Sequence, residues 1–427
     1  MRVIAPDNAK KAGRNLRRER RRWDDAEEHS LALGCVNCVE RETCGGMHKR
    51  QNHYSCLDDC CANPATCDVV CPKNRTAFIQ RLREIDGYDL HNIPRAAVRP
   101  APPLPVYIPV IYHRNRRAEP LKGEAAAIPF HRLYSRGERR LRYASRAEIA
   151  AAFGISLDAQ LVLVGCGRDK PIEAWWGLSE SRAEIIAALA KLGVELVTSP
   201  NYSLFTDQPR FDDIYNIKRI GIAWQEFLAG NVSGALHLNA RTARDYDRLA
   251  EFIRQRDEVT DVAFEFATGA AWPGRRPFHQ QHIAGLAASV GRPLNLIMVG
   301  GLPAIPTLAS AFASLSFIDT SAFMKAMHRQ RIMEGHDGKL KPAAELTEVG
   351  APLDDLLARN IEVMRAYVER LVNASRAMAL EDRTAPISRS PDKTASARAA
   401  PSSNSDLAPE LSERGRPTET ANSRLDS

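Results

Sequence analysis

Eight of the nine cysteines fall between Gly34 and Asn74, in the order Cys35, Cys38, Cys44, Cys56, Cys60, Cys61, Cys67 and Cys71. The pair Cys35-x2-Cys38 and the pairs at x3 spacing let two thiolates reach one ion without strain. Gly34, Gly45 and Gly46 flank the first three and permit tight backbone around bound sulfur. His48 and His53 add possible nitrogen ligands. Eight thiols suffice for two four-ligand sites, and both zinc and a [4Fe–4S] cluster accept tetrahedral sulfur. The close Cys67-x3-Cys71-Pro72 matches the end of a bacterial ferredoxin run, but the C-x2-C-x2-C before it is missing. The expectation is a zinc or [4Fe–4S] site held by these eight cysteines. Cys166 stands apart after a predicted strand and reads as packing.

A second chemical feature is basic. Between Lys10 and Arg22 one acidic residue accompanies eight basic ones. On a helix, Arg14, Arg17, Arg18 and Arg21 share one face, suited to lie along phosphates. Asp24, Asp25, Glu27 and Glu28 follow and offer internal partners instead. The net charge of +7 permits a polyanionic partner such as DNA or RNA without requiring one.

The chain begins without the apolar core of a secretory signal. Its longest apolar stretch, Leu294 to Ile318, is broken by Gly300, Gly301, Pro303 and Pro306. That stretch reads as strand, loop, helix and strand, so no membrane partner is expected and a cytoplasmic location is. Disulfides are uncommon there, which favours a metal for the clustered thiols.

The elements that position the chemistry lie between about Arg146 and Arg331. Short apolar runs alternate with amphipathic stretches: "LVLVG", "VELVTS", "GALHLN", "VAFEFA", "LNLIMVGG" and "SFIDT" each follow a helical pattern. "PVYIPVI" offers a further strand upstream. Runs of four to six apolar residues suit buried parallel strands with covering helices. Seven or eight such units predict an α/β fold of TIM-type barrel or variant, with an open doubly wound sheet as the alternative. The organisation expected is a basic arm over 1–30, a cysteine-rich module over 31–94, a Pro-rich connector over 95–123, the barrel over 124–380 and a disordered tail over 381–427.

Function in either architecture collects at the C-terminal strand ends. Those ends supply Arg168 and Asp169, then Ser199, Asn201, Tyr202 and Ser203, then His237 and Asn239. Glu265 lies on the next strand, Gly300 and Gly301 follow the fifth, and Asp319 and Thr320 end the sixth. A carboxylate in "VAFEFA" is costly unless it enters a polar mouth, with Phe264 and Phe266 facing away from it. Asp169, Glu265 and Asp319 are candidate nucleophiles or general bases, and His237 a proton donor. Asn201, Tyr202, Ser203, Asn239 and Arg219 are candidate substrate contacts, and the Gly300–Gly301 amides offer themselves to a phosphate.

The residues Pro200, Asn201, Tyr202, Ser203, Leu204, Asp207, Pro209, Asn216, Arg219, Trp224 and Gln225 form a pattern that resembles an uncharacterised, phage-associated bacterial family. That resemblance covers perhaps 150 residues and implies no established activity. More remotely, "IMVGGLPAIPTLASAFASLSFIDTSAF" looks like the late strands of the tRNA-guanine transglycosylase barrel. That family's zinc hairpin follows the barrel, whereas these cysteines precede it, and only Asp319–Thr320 matches its catalytic pattern loosely. The resemblances imply a barrel and base-modifying chemistry on nucleic acid. A non-catalytic nucleic-acid-binding or defence-associated scaffold and an iron–sulfur barrel enzyme acting on a small metabolite are the alternatives.

Overall fold

The computed structural model describes residues 80, 81, 83–204 and 210–384. The basic arm with its four arginines, the eight clustered cysteines and the tail beyond Thr384 lie outside the described residues.

Eight parallel strands form one sheet whose spatial order follows the chain. They are β1 (Tyr107–Pro109), β2 (Ala125–Pro129), β3 (Gln160–Val164), β4 (Leu196–Thr198), β5 (Gly234–His237), β6 (Asp261–Glu265), β7 (Asn295–Val299) and β8 (Ser314–Asp319). β1 pairs with β8 through Tyr107–Phe317 register. On its other side a bridge from Val110 to Ala127 brings β1 against β2. The result is a nearly closed barrel, as the alternation of strand and helix patterns predicts. The Pro-rich connector therefore carries the first barrel strand. β2, "AAAIP", escapes a reading by strand propensity because alanine is depleted in strands. It serves here because Ala125 and Ala127 are small enough for the crowded interior.

Nine α-helices accompany the sheet among the described residues. α1 (Arg146–Phe153) starts at Ser145, whose hydroxyl accepts from the Glu148 amide, and stops at left-handed Gly154. α2 (Asp169–Trp176) and α3 (Ser181–Lys191) follow β3, and α4 (Arg210–Ala229) follows β4. α5 (Ala243–Arg254) opens with a reciprocal Thr242–Asp245 capping box. α6 (Arg276–Val290), α7 (Ile305–Leu308), α8 (Ser321–Met327) and α9 (Asp354–Thr384) complete the set. Asp354 at the start of α9 accepts from the Ala118 amide in the β1–β2 connection. Farther along, Ser375 donates to the Pro306 carbonyl. No helix among the described residues is long and apolar enough to cross a membrane.

Strand alternation sorts side chains into two cores. Ile108, Val110, Ala125, Ala127, Val162, Val164, Leu196, Ala235, Ala263, Ile297, Val299 and Ile318 fill the barrel interior. The alternate residues, among them Leu163, Leu236, Phe264 and Phe317, pack outward against the helices. This parity decides which strand-end residues reach the mouth.

The segment 83–94 straps across α4 and α5. Its Ile85, Tyr88, Leu90 and Ile93 are buried. Lys218 of α4, 1% exposed, donates to the Asp86 and Gly87 carbonyls at 2.9 and 2.7 Å. Burial lowers its pKa to about 8. Arg256 donates to the Pro94 carbonyl at 3.0 Å.

Candidate active site

The inward parity set by Val164, Ala235 and Ala263 continues two residues on to Cys166, His237 and Glu265. Three adjacent stretches of the barrel rim thus aim a thiol, an imidazole and a carboxyl at one point. Gly165 permits the approach: a Cβ there would lie 2.3 Å from the Thr198 carbonyl oxygen. Its amide donates to the Thr198 hydroxyl at 2.8 Å, locking β3 to β4. The Ser199 hydroxyl accepts from the His237 amide at 2.9 Å and fixes β5 in the same way.

Around this point opens a pocket of about 580 Å³, lined among others by Asp169, Asn201, Ser203, His237, Asn239 and Glu265. That volume is in the range for a nucleotide-sized ligand. Arg168, Arg241, Arg275 and His279 complete its charged wall. Arg241 pairs with Asp213 at 2.8 Å, both nearly fully buried. Arg275 donates to the Arg241 carbonyl, and His279 Nδ1 meets the Tyr246 hydroxyl at 2.7 Å.

Glu265 is the most perturbed carboxyl of the pocket. Burial raises its pKa, the charge of Asp169 adds to the rise, and hydrogen bonds from Asn201 and Cys166 oppose it. Asn201 Nδ2 donates to Glu265 Oε2 at 2.8 Å. Asn239 Nδ2 donates to Asn201 Oδ1 and to the Tyr202 carbonyl, each at 2.8 Å. His237 is 2% exposed. Burial lowers its pKa to about 3, so the ring is neutral at physiological pH. Its Nε2 lies 3.3 Å from Cys166 Sγ. Burial and the Glu265 charge push the Cys166 thiol up, keeping it protonated. The site therefore holds neutral groups able to exchange protons, beside a cationic wall. Asp169, exposed at the start of α2, accepts from the Ser203 hydroxyl.

Four other predicted site residues and the glycine pair have different places. Asp319 follows the outward parity of Phe317. It accepts from the Tyr107 hydroxyl at 3.2 Å and from the Ser321 amide at 2.9 Å, which makes it a cap on α8. Burial raises its pKa too, against those hydrogen bonds. Gly300 gives its amide to the Ile318 carbonyl at 2.8 Å. Gly301, at φ +78°, packs where a Cβ would lie 2.2 Å from Phe266 Cβ. The pair is there for backbone geometry, and neither lines the pocket. Tyr202 is fully buried beneath the Arg219 guanidinium, 3.9 Å from its ring. Arg219 makes a forked pair with Glu173 at 2.7 and 3.0 Å, tying α4 to α2. Both support the wall from behind. Thr320 likewise precedes α8 as its first flanking residue.

Reading strand ends misses Cys166, Arg241, Arg275 and His279. Cys166 sits at the same inward parity as Val164, a signal that was available. Arg241 lies two residues past Asn239. Arg275 and His279 come from the start of α6 and carry no spacing signal.

Among the described residues no group of three His, Cys, Asp or Glu side chains is placed to hold a metal ion. No protein-family model matches the chain, and a comparison with curated proteins returns no match either.

Proposed function

We propose that the protein is a nucleic-acid-associated enzyme that modifies a base at the mouth formed by β3–β6. The observation that carries this reading is the inward convergence of Glu265, His237 and Cys166 in a nucleotide-sized pocket with a cationic wall. Glu265, with its raised pKa, is the general acid or base, and neutral His237 its partner. Asn201 and Asn239 present amides of fixed orientation to the polar edge of a base. Arg168, Arg241 and Arg275 face the sugar-phosphate. Asp169 and Ser203 close the pocket at its outer rim.

In this reading the arginines at 14, 17, 18 and 21 add phosphate contacts, and the eight clustered cysteines hold zinc or a [4Fe–4S] cluster. The full chain, purified without oxygen, is analysed for metal and for copurifying DNA or RNA. Bound metal at stoichiometric level and nucleic acid released by salt support the reading. Affinity for nucleic acid falls steeply with salt, and replacing the four arginines by alanine flattens that slope. Glu265→Gln retains binding and loses base modification. Nucleic-acid affinity indifferent to salt, or a fully active Glu265→Gln protein, overturns it.

A further inference from the structure

The hydrogen bonds around Glu265 have a direction that can be read from one fixed end. The Tyr202 carbonyl only accepts, so the Asn239 atom 2.8 Å from it is the amide nitrogen. The same nitrogen reaches Asn201 Oδ1, so Asn201 turns its own nitrogen to Glu265 Oε2. One carboxyl oxygen of Glu265 is thereby committed to a donor. Cys166 bonds the carboxyl as well, and its sulfur also meets His237 Nε2 at 3.3 Å. A thiol has one proton to give. If Glu265 is ionised, the thiol proton goes to the carboxylate, and sulfur accepts from His237 Nε2–H. If Glu265 is protonated, it donates to sulfur, and the thiol proton turns to His237 Nε2. In a neutral ring the remaining proton must then sit on Nδ1. His237 Nδ1 is buried and has no hydrogen-bond partner among the described residues, on a side chain that lines the pocket.

We infer that Cys166 is a positioning residue that couples Glu265 to His237, so that protonating the carboxyl switches His237 Nδ1 from acceptor to donor toward a bound substrate. The inference deepens the proposed function and rests on it only for the identity of the substrate. The chemistry it selects is a neutral heterocycle with an exchangeable N–H, such as a nucleobase edge. One proton leaves the substrate for Nδ1, the Nε2 proton passes to sulfur, and the thiol proton passes to the Glu265 carboxylate. No other bond changes, and the substrate is left as its conjugate base. Run in reverse, the chain returns the proton. The imidazole remains neutral throughout, as its burial demands. Asp169, Arg168, Arg241, Arg275 and His279 are the other charged or titratable groups around this pocket, and Asp169 acts on Glu265 directly.

The test is ¹⁵N-histidine NMR on the full chain at neutral pH, with His237 assigned by its loss in His237→Asn. The wild-type protein is expected to show the Nε2–H form. Glu265→Gln is expected to show the Nδ1–H form, because Asn201 holds the glutamine oxygen and turns its amide to sulfur. Cys166→Ser keeps the difference. In Cys166→Ala, adding Glu265→Gln no longer changes the tautomer. Circular dichroism establishes that each variant is folded, and Cys166→Ser stands in should the alanine variant fail. The same tautomer in wild type and Glu265→Gln, or a switch that persists without a side chain able to relay at position 166, overturns the coupling. A tautomer switch in a protein that binds no nucleic acid would leave the coupling standing and sink the proposed substrate.

Discussion

The rim at β3–β6 and the rim at β7, β8 and β1 are built from the same alternation yet use their polar residues differently. On the first, Cys166, His237 and Glu265 continue the inward parity and meet in a pocket. On the second, Asp319 takes the outward parity and caps α8, while Gly300 and Gly301 shape a turn against Phe266. A polar residue at a strand end is thus a site candidate only when its parity matches the small residues lining the interior. One residue of register separates a group that can meet substrate from one that ties a helix down.

The sharpest way to break this contrast is to neutralise both carboxyls. Glu265→Gln is expected to lower base modification by about 10²–10⁴-fold, the range for removing a general acid or base. Asp319→Asn is expected to stay within a few-fold of wild-type turnover and to lose stability instead, by about 1–3 kcal/mol, read in urea unfolding. Equal losses of turnover in both would erase the distinction between the rims.

The glycines give a second contrast. Gly301→Ala adds a Cβ 2.2 Å from Phe266 at a positive φ, and is expected to cost roughly 2–4 kcal/mol. Gly167 lies on the pocket rim, where a Cβ meets nothing closer than 3.6 Å. Gly167→Ala should change stability by less than about 0.5 kcal/mol. Thermal unfolding of the two variants decides the matter.

The smallest effect is a pH slope. His237 has a folded pKa of about 3, below the ordinary value of about 6.5. The unfolded chain therefore binds its proton first, and stability falls as pH drops from about 6.5 toward 3. The slope from this one group approaches about 1.4 kcal/mol per pH unit in that window. Above about 6.5 it contributes nothing. His237→Asn should flatten the slope, and a profile identical to wild type would mean that the ring is not buried in solution.

Much of the architecture was legible because period-two strands and capped helices carry local signals. "LVLVG", "GALHLN" and "VAFEFA" became β3, β5 and β6, and Ser145 and Thr242 marked helix starts. β2 was harder, since its alanines serve the barrel through smallness and not through strand preference. At the site, Glu265 and His237 could be singled out because each is a polar residue in an apolar strand. Cys166 looks apolar to any pattern, and its role comes from two partners 71 and 99 residues away in the chain. Arg219 was read as a substrate contact because charge in a helix says nothing about which side of a wall it occupies. Glu173 and Tyr202 claim it from behind.

The ring of strands also has a consequence for how the protein is made. Tyr107 and Asp319, joined across the β1–β8 seam, are 212 residues apart. The strap before β1 binds Lys218 and Arg256 more than a hundred positions later. During synthesis both early segments must therefore wait, with Ile85, Leu90, Ile93 and β1 unsheltered, until most of the chain has left the ribosome. A pause or truncation before β8 leaves an open sheet with two unpaired edges, the species in which chaperone capture or aggregation would begin.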